Sequence, residues 1–403
     1  MKLKDVATIK HGFAFKGEYF TDVPTKNILL TPTNFTLRGG FKYADRYYSN
    51  DGEIPEEFVL HKDDLIVTMT DLSKEIDTIG YGALIPDDPD HLFLHNQRIG
   101  LVSIINPAVD KFYLYWLMRT KFYQRTIAGS SNGATVHHTS PGRILNYSWE
   151  FPSLDVQKKI ASILSAYDSQ IENNQKRIKL LEQMAENLYK EWFVRFRFPG
   201  YENAAFEGGV PKGWKIEPIK KYNKCYLGGT PSRDKSEYWE KGDIPWINSG
   251  EINKIRVYKE SEFITKLALE KSATKLLPIR STLVAITGAT VGQVSLNEIE
   301  VCANQSVVGI VNNLGYHCFT YFSLVQNINT IANFASGGAQ QHINKDIIEK
   351  FKILIPEDNI VKKFEEIITP YFDSIWGLLK ANDNLTAQRD LLLPRLMSGK
   401  LSI

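Results

Sequence analysis

The chain has 403 residues, a net charge of +2, an apolar fraction of 43% and a charged fraction of 23%, ordinary values for a soluble protein of roughly two to four domains. No run of about 18 apolar residues exists, which excludes a spanning helix, and the start MKLKDVATIK lacks the apolar core of a signal peptide. Cys225, Cys302 and Cys318 are odd in number and lack metal-type spacing, which predicts a reducing, cytoplasmic setting.

Residues 1–152 read as a first globular segment. Phe13 and Lys16 lie in a glycine-flanked loop, and Asn34 ends a Thr-Pro-Thr turn. A strand through Asp64–Thr70 leads to a polar loop carrying Ser73 and Lys74. Asn96-Gln97-Arg98 then precedes the strand Ile99–Ile104. A helix is expected near Phe112–Thr126. A loop holding Asn132, His137 and His138 follows, then a last strand ending at Phe151-Pro152. Short strands, irregular turns and few helices predict an α+β segment with mixed sheets, not a βαβ repeat.

From Leu154 to Val194 the chain has neither Gly nor Pro, and its apolar residues fall on two interleaved heptad series. One is Ile160, Tyr167, Asn174, Leu181, Leu188; the other is Leu164, Ile171, Ile178, Ala185, Trp192. Steps of three and four alternate, which predicts a coiled-coil seam rather than a broad globular stripe. The helix, assigned to 153–198, would be a rod of roughly 60 Å that needs a partner. A Gly-rich linker over 199–213 leads to a second globular segment over 214–356. A second long helix is expected over 357–403, with Phe364, Tyr371, Leu378, Leu385 and Leu392 interleaved with Ile368, Ile375 and Asn382. Adding 204 to Ile160, Tyr167, Leu181 and Leu188 lands on Phe364, Tyr371, Leu385 and Leu392. The chain therefore reads as a tandem duplication, its two helices pairing antiparallel. Asn174 and Asn382 interrupt the seams as register-setting polar residues.

The globular segments echo each other in order. Thr282–Gly288 answers Asp64–Thr70, Asn304-Gln305-Ser306 answers Asn96-Gln97-Arg98, and Ser336–His342 answers Ser131–His137. The frame repeats while the loops diverge, as two recognition modules for two targets would.

No phosphate loop, nucleophile elbow, zinc-protease helix or paired Cys motif occurs, and no metal site is expected; Asp243, Glu251 and Lys254 are a loose nuclease-like set at the wrong spacing. The loops offer nucleic-acid chemistry instead. Thr230, Ser232, Arg233, Lys235, Tyr238, Asn248 and Ser249 combine hydroxyls, cations, an amide and an aromatic, with Trp239 and Trp246 as structural pins. Thr287, Thr290, Gln340, Gln341 and His342 join them. In the first segment the candidates are Phe13, Lys16, Asn34, Thr70, Lys74, Asn132, His137 and His138. Arg195, Arg197, Lys220, Lys221 and Lys224 could track phosphates.

The stretches GGTPSRDKSEYWEKGDIPWINSGEI, ANQSVVGIV and SGGAQQHINKDIIEKFKILIP, set in a duplicated segment-helix order, resemble the DNA-specificity subunit of type I restriction–modification systems. The resemblance implies two target recognition domains reading the halves of a split double-stranded DNA sequence, with the helices as spacer. It implies no catalysis and no bound cofactor in this chain. Two methylation subunits would carry S-adenosylmethionine, and restriction subunits would join, with ATP and Mg also on partners. The alternatives are a stand-alone metal-dependent nuclease and a coiled-coil assembly scaffold without DNA.

Overall fold

A computed structural model describes residues 1–71, 73, 76–133, 136–334, 342–401 and 403. The chain forms two compact units: Met1–Asn173 with Asn382–Ile403, and Asn174–Ala381. Both divisions fall inside the long helices, which span Leu154–Tyr189, continued by a π turn over Lys190–Val194, and Asp358–Met397. Asp155 and Asp358 lie in the first turns and Arg395 in the last turn of the second helix, complementing the helix dipoles. The first helix stops where Phe196 turns to a φ of 59° and Pro199 and Gly200 follow. The second continues through Pro370 and Pro394.

In the first unit an antiparallel sheet runs in the order Ala7–His11, Ile99–Ile104, Leu65–Thr68, Gly82–Leu84. A second sheet orders Phe20–Thr21, Tyr47–Tyr48, Asn27–Leu29, Leu92–Leu94 and Val59–Leu60, with Asn27–Leu29 parallel to Leu92–Leu94. The expected helix at 112–126 is two helices, Lys111–Leu117 and Lys121–Gly129, because the Thr120 side chain caps a fresh start at Tyr123 N. The expected strand ending at Phe151-Pro152 is absent; an isolated bridge from Ser148 to Lys2 stands there. Tyr113, Leu114 and Trp116 pack in one core with Ile160, Ala161 and Leu164 of the first long helix and Leu393, Leu396 and Met397 of the second.

The second unit repeats this plan. Its larger sheet runs Asn223–Leu227, Val307–Asn312, Thr282–Ala285, Val294–Asn297, Arg256–Val257. Its smaller sheet orders Glu262–Ile264, Ile244–Ile247, Cys302–Ala303, again with one parallel pair, between Ile247 and Ala303. Here Lys352–Ile355 is a true strand, paired with Lys215–Pro218. Phe364, Ile368, Phe372 and Ile375 of the second helix share a core with Ile178, Ala185, Tyr189 and Trp192 of the first, and with Phe319 and Phe322 of the helix His317–Ala332. Within the units the long helices thus meet antiparallel, the start of one beside the end of the other.

The buried face is wider than a coiled-coil seam. Ile360, Phe372 and Leu393 are buried outside the heptad series, whereas Tyr167, Ile171, Leu181, Leu188, Tyr371, Leu385 and Leu392 are only half-buried. The reason is that each helix also supports a globular core, so its apolar stripe faces two neighbours.

Charged clamps complete both seats. In the first unit Arg119 is buried, donates to Asp168 at 2.6 Å and lies over the Trp116 ring at 4.4 Å. Arg389 also pairs with Asp168, and Arg38 with Asp390. In the second unit Arg256, whose side chain is 1% exposed, pairs with Glu182 at 3.0 Å and Glu298 at 3.4 Å, while Arg280 joins Glu298 to Asp373. Burial outweighs the two guanidinium groups and pushes the Glu298 carboxyl above its ordinary range. Arg256→Ala takes the salt-bridge partner from Glu182 and leaves Glu298 with Arg280 alone, so urea unfolding of the full chain is expected to show a loss of about 3–5 kcal/mol in the transition of the second unit.

Candidate nucleic-acid interface

In the second unit the candidate loop starts where strand Asn223–Leu227 ends. Gly228 and Gly229 hydrogen-bond to Val307 O and Ala303 O at 2.9 and 2.8 Å. A Cβ on Gly228 would stand 2.1 Å from Asn304 O, so only glycine permits this approach. Trp246 Nε1 donates to Gly229 O and Trp239 Nε1 to Ser232 O, the two rings meeting edge-on at 5.3 Å. The tryptophans pin the loop, as the sequence suggests.

On that pinned surface Arg233 is exposed but ordered. Its guanidinium lies 3.5 Å over the Trp239 ring and makes two hydrogen bonds to Glu262, at 2.6 and 2.7 Å. The Arg233 bond holds the Glu262 carboxyl below its ordinary range. An exposed pair of this kind contributes little stability, so the guanidinium is oriented yet available to another acceptor. Thr230 Oγ1 meets Gln305 Oε1 at 2.5 Å. Ser232 and Lys235 are exposed, and Lys235 Nζ donates to the Tyr238 hydroxyl at 3.2 Å. Asn248 is exposed; its Oδ1 accepts from Gly250 N and its Nδ2 donates to Ser261. Ser249, Thr287 and Thr290 are half-buried, and exposed His342 bridges to Thr287.

In the first unit Phe13 packs against Phe15 and Phe58, with Lys16 exposed beyond it. Strand His137–His138 pairs with Thr70–Asp71, and Thr70 Oγ1 lies 3.1 Å from His138 Nδ1. Asn132 is exposed and bridges to His138. Asp71 gathers this corner. Burial alone would raise its pKa, but bonds from Thr78 Oγ1, Ser73 N, Thr78 N and Ile79 N outweigh burial and hold the carboxyl below its ordinary 3.8.

Three expected contacts belong to the interior instead. Asn34 is fully buried, its Oδ1 accepting from Thr31 N and its Nδ2 donating to Lys42 O. Tyr238 and Thr70 are 5% and 3% exposed and cannot reach a ligand as they stand. Lys74, Gln340 and Gln341 lie outside the described residues. The basic clusters are partly self-neutralised: Arg195 and Arg197 pair with Glu191, and Lys221 with Glu217. Sequence reading passed over the exposed side chains of Gln97, Arg98 and Gln305, which flank the candidate loops. The repeated Asn-Gln pair was the signal.

Among the described residues no group of three or more His, Cys, Asp or Glu side chains is arranged to hold a metal ion, and Lys254 pairs with Glu251. Burial pushes the Cys225 and Cys302 thiols up to about 12 and about 11. Among the described residues no helix is long and apolar enough to cross a membrane.

The family described as Type I restriction modification DNA specificity domain matches residues 1–183 and again 211–384. The chain belongs to this family. The MjaIX specificity subunit of Methanocaldococcus jannaschii is 29% identical over 72% of this chain and 69% of its own length. The HindI specificity subunit of Haemophilus influenzae is 24% identical over 91% and 97%. The crystal structure of a type I restriction–modification S subunit from M. genitalium shares the fold, with a TM-score of 0.57 at 15% identity over 98% and 95% of the two chains. As a type I specificity subunit the chain recognises DNA and is not the catalytic component; nothing supports the nuclease alternative.

The Asp71 carboxylate yields a test of the corner it organises. A carboxyl depressed by folding stabilises the fold above its unfolded pKa, and that contribution is lost as pH falls through the folded value. Asp71→Asn is expected to lower stability by about 1–3 kcal/mol at neutral pH. The gap from wild type should shrink as pH falls below 3.8, followed by urea unfolding across a pH series.

Proposed function

We propose that each globular segment, residues 1–152 and 214–356, reads one half of a split DNA sequence, with the helices 153–198 and 357–403 as the spacer. On this reading two methylation subunits carrying S-adenosylmethionine dock on the chain, and restriction subunits using ATP and Mg join for cleavage, in the cytoplasm. One observation carries it: two segments that share a four-strand order, Ala7–His11, Ile99–Ile104, Leu65–Thr68, Gly82–Leu84 and Asn223–Leu227, Val307–Asn312, Thr282–Ala285, Val294–Asn297, present different loops. The Phe13–Lys16 loop is aromatic and apolar where Thr230–Lys235 is polar and cationic, which suits two different half-sites.

The first measurement is long-read methylation mapping of DNA from cells expressing this chain with the methyltransferase encoded beside it. A split motif methylated in both halves, and lost on deletion of the chain, is the expected result. Absence of any deletion-dependent motif with a competent methyltransferase would defeat the reading. Exchanging residues 214–356 for the matching segment of another family member should change one half of the motif and leave the other intact. Arg233→Ala should cost about 1–3 kcal/mol in binding and relax the motif at a single position if the guanidinium meets a base. A uniform loss over all sequences would mark a phosphate contact instead.

A further inference from the structure

The two segments can be aligned by their hydrogen bonds rather than by residue likeness. Phe13 N donates to His95 O at 2.8 Å, as Gly229 N does to Ala303 O at 2.8 Å. Met69 N donates to Arg98 O, as Ile286 N does to Ser306 O; Thr139 N donates to Met69 O, as Ile343 N does to Ile286 O. This alignment sets Gly12 on Gly228, Asn96-Gln97 on Asn304-Gln305, Thr70 on Thr287 and His138 on His342. Residue type is kept at each of these places while the neighbours change: Phe13 against Gly229, Arg98 against Ser306, Thr139 against Ile343. The histidine matched to His342 is therefore His138 rather than His137, and it lies at the same offset of 204 as the helices.

The frame explains part of this retention. A Cβ at Gly12 would stand 2.3 Å from Asn96 O, and one at Gly228 2.1 Å from Asn304 O. Asn96 is buried, and Asn304 Oδ1 accepts from Ser306 N. Thr70 is buried against His138, and Thr287 carries the matching bridge. The frame does not explain the two glutamines, and of the two imidazoles it uses only His138 Nδ1. All four are exposed. The Gln97 side chain makes no hydrogen bond among the described residues, and Gln305 meets only the exposed Thr230 hydroxyl, through Oε1, which leaves its Nε2 donors for another acceptor. With Nδ1 held by Thr70, His138 has Nε2 left for an outside partner.

An exposed polar side chain kept in the same place on two otherwise divergent surfaces points to a ligand feature both surfaces share. Two different half-sites differ in their bases and share the sugar–phosphate backbone. We infer that Gln97 and His138, with their twins Gln305 and His342, are sequence-independent anchors that grip backbone oxygens of DNA. Base selection then falls to the residues that differ, around Phe13–Lys16 and Thr230–Lys235. The inference rests on the proposed DNA-reading role and assigns a division of labour within it.

The test uses the full chain co-purified with the methylation subunit of its own system. Binding is measured by fluorescence anisotropy to the mapped target and to duplexes substituted at each target position in turn. Gln305→Ala and His342→Ala are each expected to weaken every duplex by a common factor of about 5–20, leaving the cognate-to-substituted ratios unchanged. Arg233→Ala serves as the contrasting variant from the divergent loop. Neutralising single phosphates as methylphosphonates should reveal a position in the second half-site that weakens wild type but not Gln305→Ala. Unchanged thermal unfolding establishes that the variants fold. A loss confined to one base pair, or no loss, overturns the anchor assignment. If wild type prefers no duplex over random DNA, the DNA-reading role itself fails, a result visible before any variant is compared.

Discussion

Neither long helix can stand alone, because each carries an apolar face that water would leave unsupported over ten or so turns. In each unit that face is covered twice, by the other helix and by the globular core. Ile160 and Leu164 lie with Leu396 and with Tyr113 and Trp116; Phe364 lies with Trp192 and with Phe319. The globular segments are therefore seated in the same apolar clusters that hold the helices together. A change at Phe364 or Leu164 would disturb helix pairing and seating at once, since no plane of the core separates them.

The charged clamps show which part of the duplicated plan is constrained. Strand order and main-chain hydrogen bonds repeat between the units, yet the ion networks do not correspond. Arg119 reaches Asp168 from the end of a short helix; Arg256 reaches Glu182 from a strand. Backbone pairing admits few alternatives, whereas a buried charge needs only some partner at hydrogen-bond distance. The frame is kept while the fastenings drift. Pairing of exposed cations with acids, as at Arg195, Lys221 and Arg233, also makes a near-neutral chain compatible with a surface whose cations are already oriented.

This contrast explains what could be read from the sequence. The helices were legible to within a few residues because periodicity and the absence of breakers are local signals, and the duplication was legible because both helices carry the same register. Asn34, Thr70 and Tyr238 were misread because a polar residue in a turn looks the same whether its side chain faces solvent or caps a buried peptide. Only the tertiary neighbours decide. Phe372 and Leu393 were hidden by the assumption of a narrow seam, which fails when a helix serves two cores. The match of His138 with His342 was obscured by unequal loops and emerged from strand pairing.

The first compact unit is built from both ends of the chain, Met1–Asn173 and Asn382–Ile403, and Leu393, Leu396 and Met397 sit in its core. Synthesis runs from the amino terminus, so the segment made first cannot close its core until the final turns of the last helix have emerged. At roughly 5–20 residues per second the interval is on the order of ten to forty seconds. The second unit, contiguous in sequence, is complete before then. Folding order is thus inverted relative to gene order. A premature stop in the last helix beyond Ala381 would damage the amino-terminal unit and spare the other.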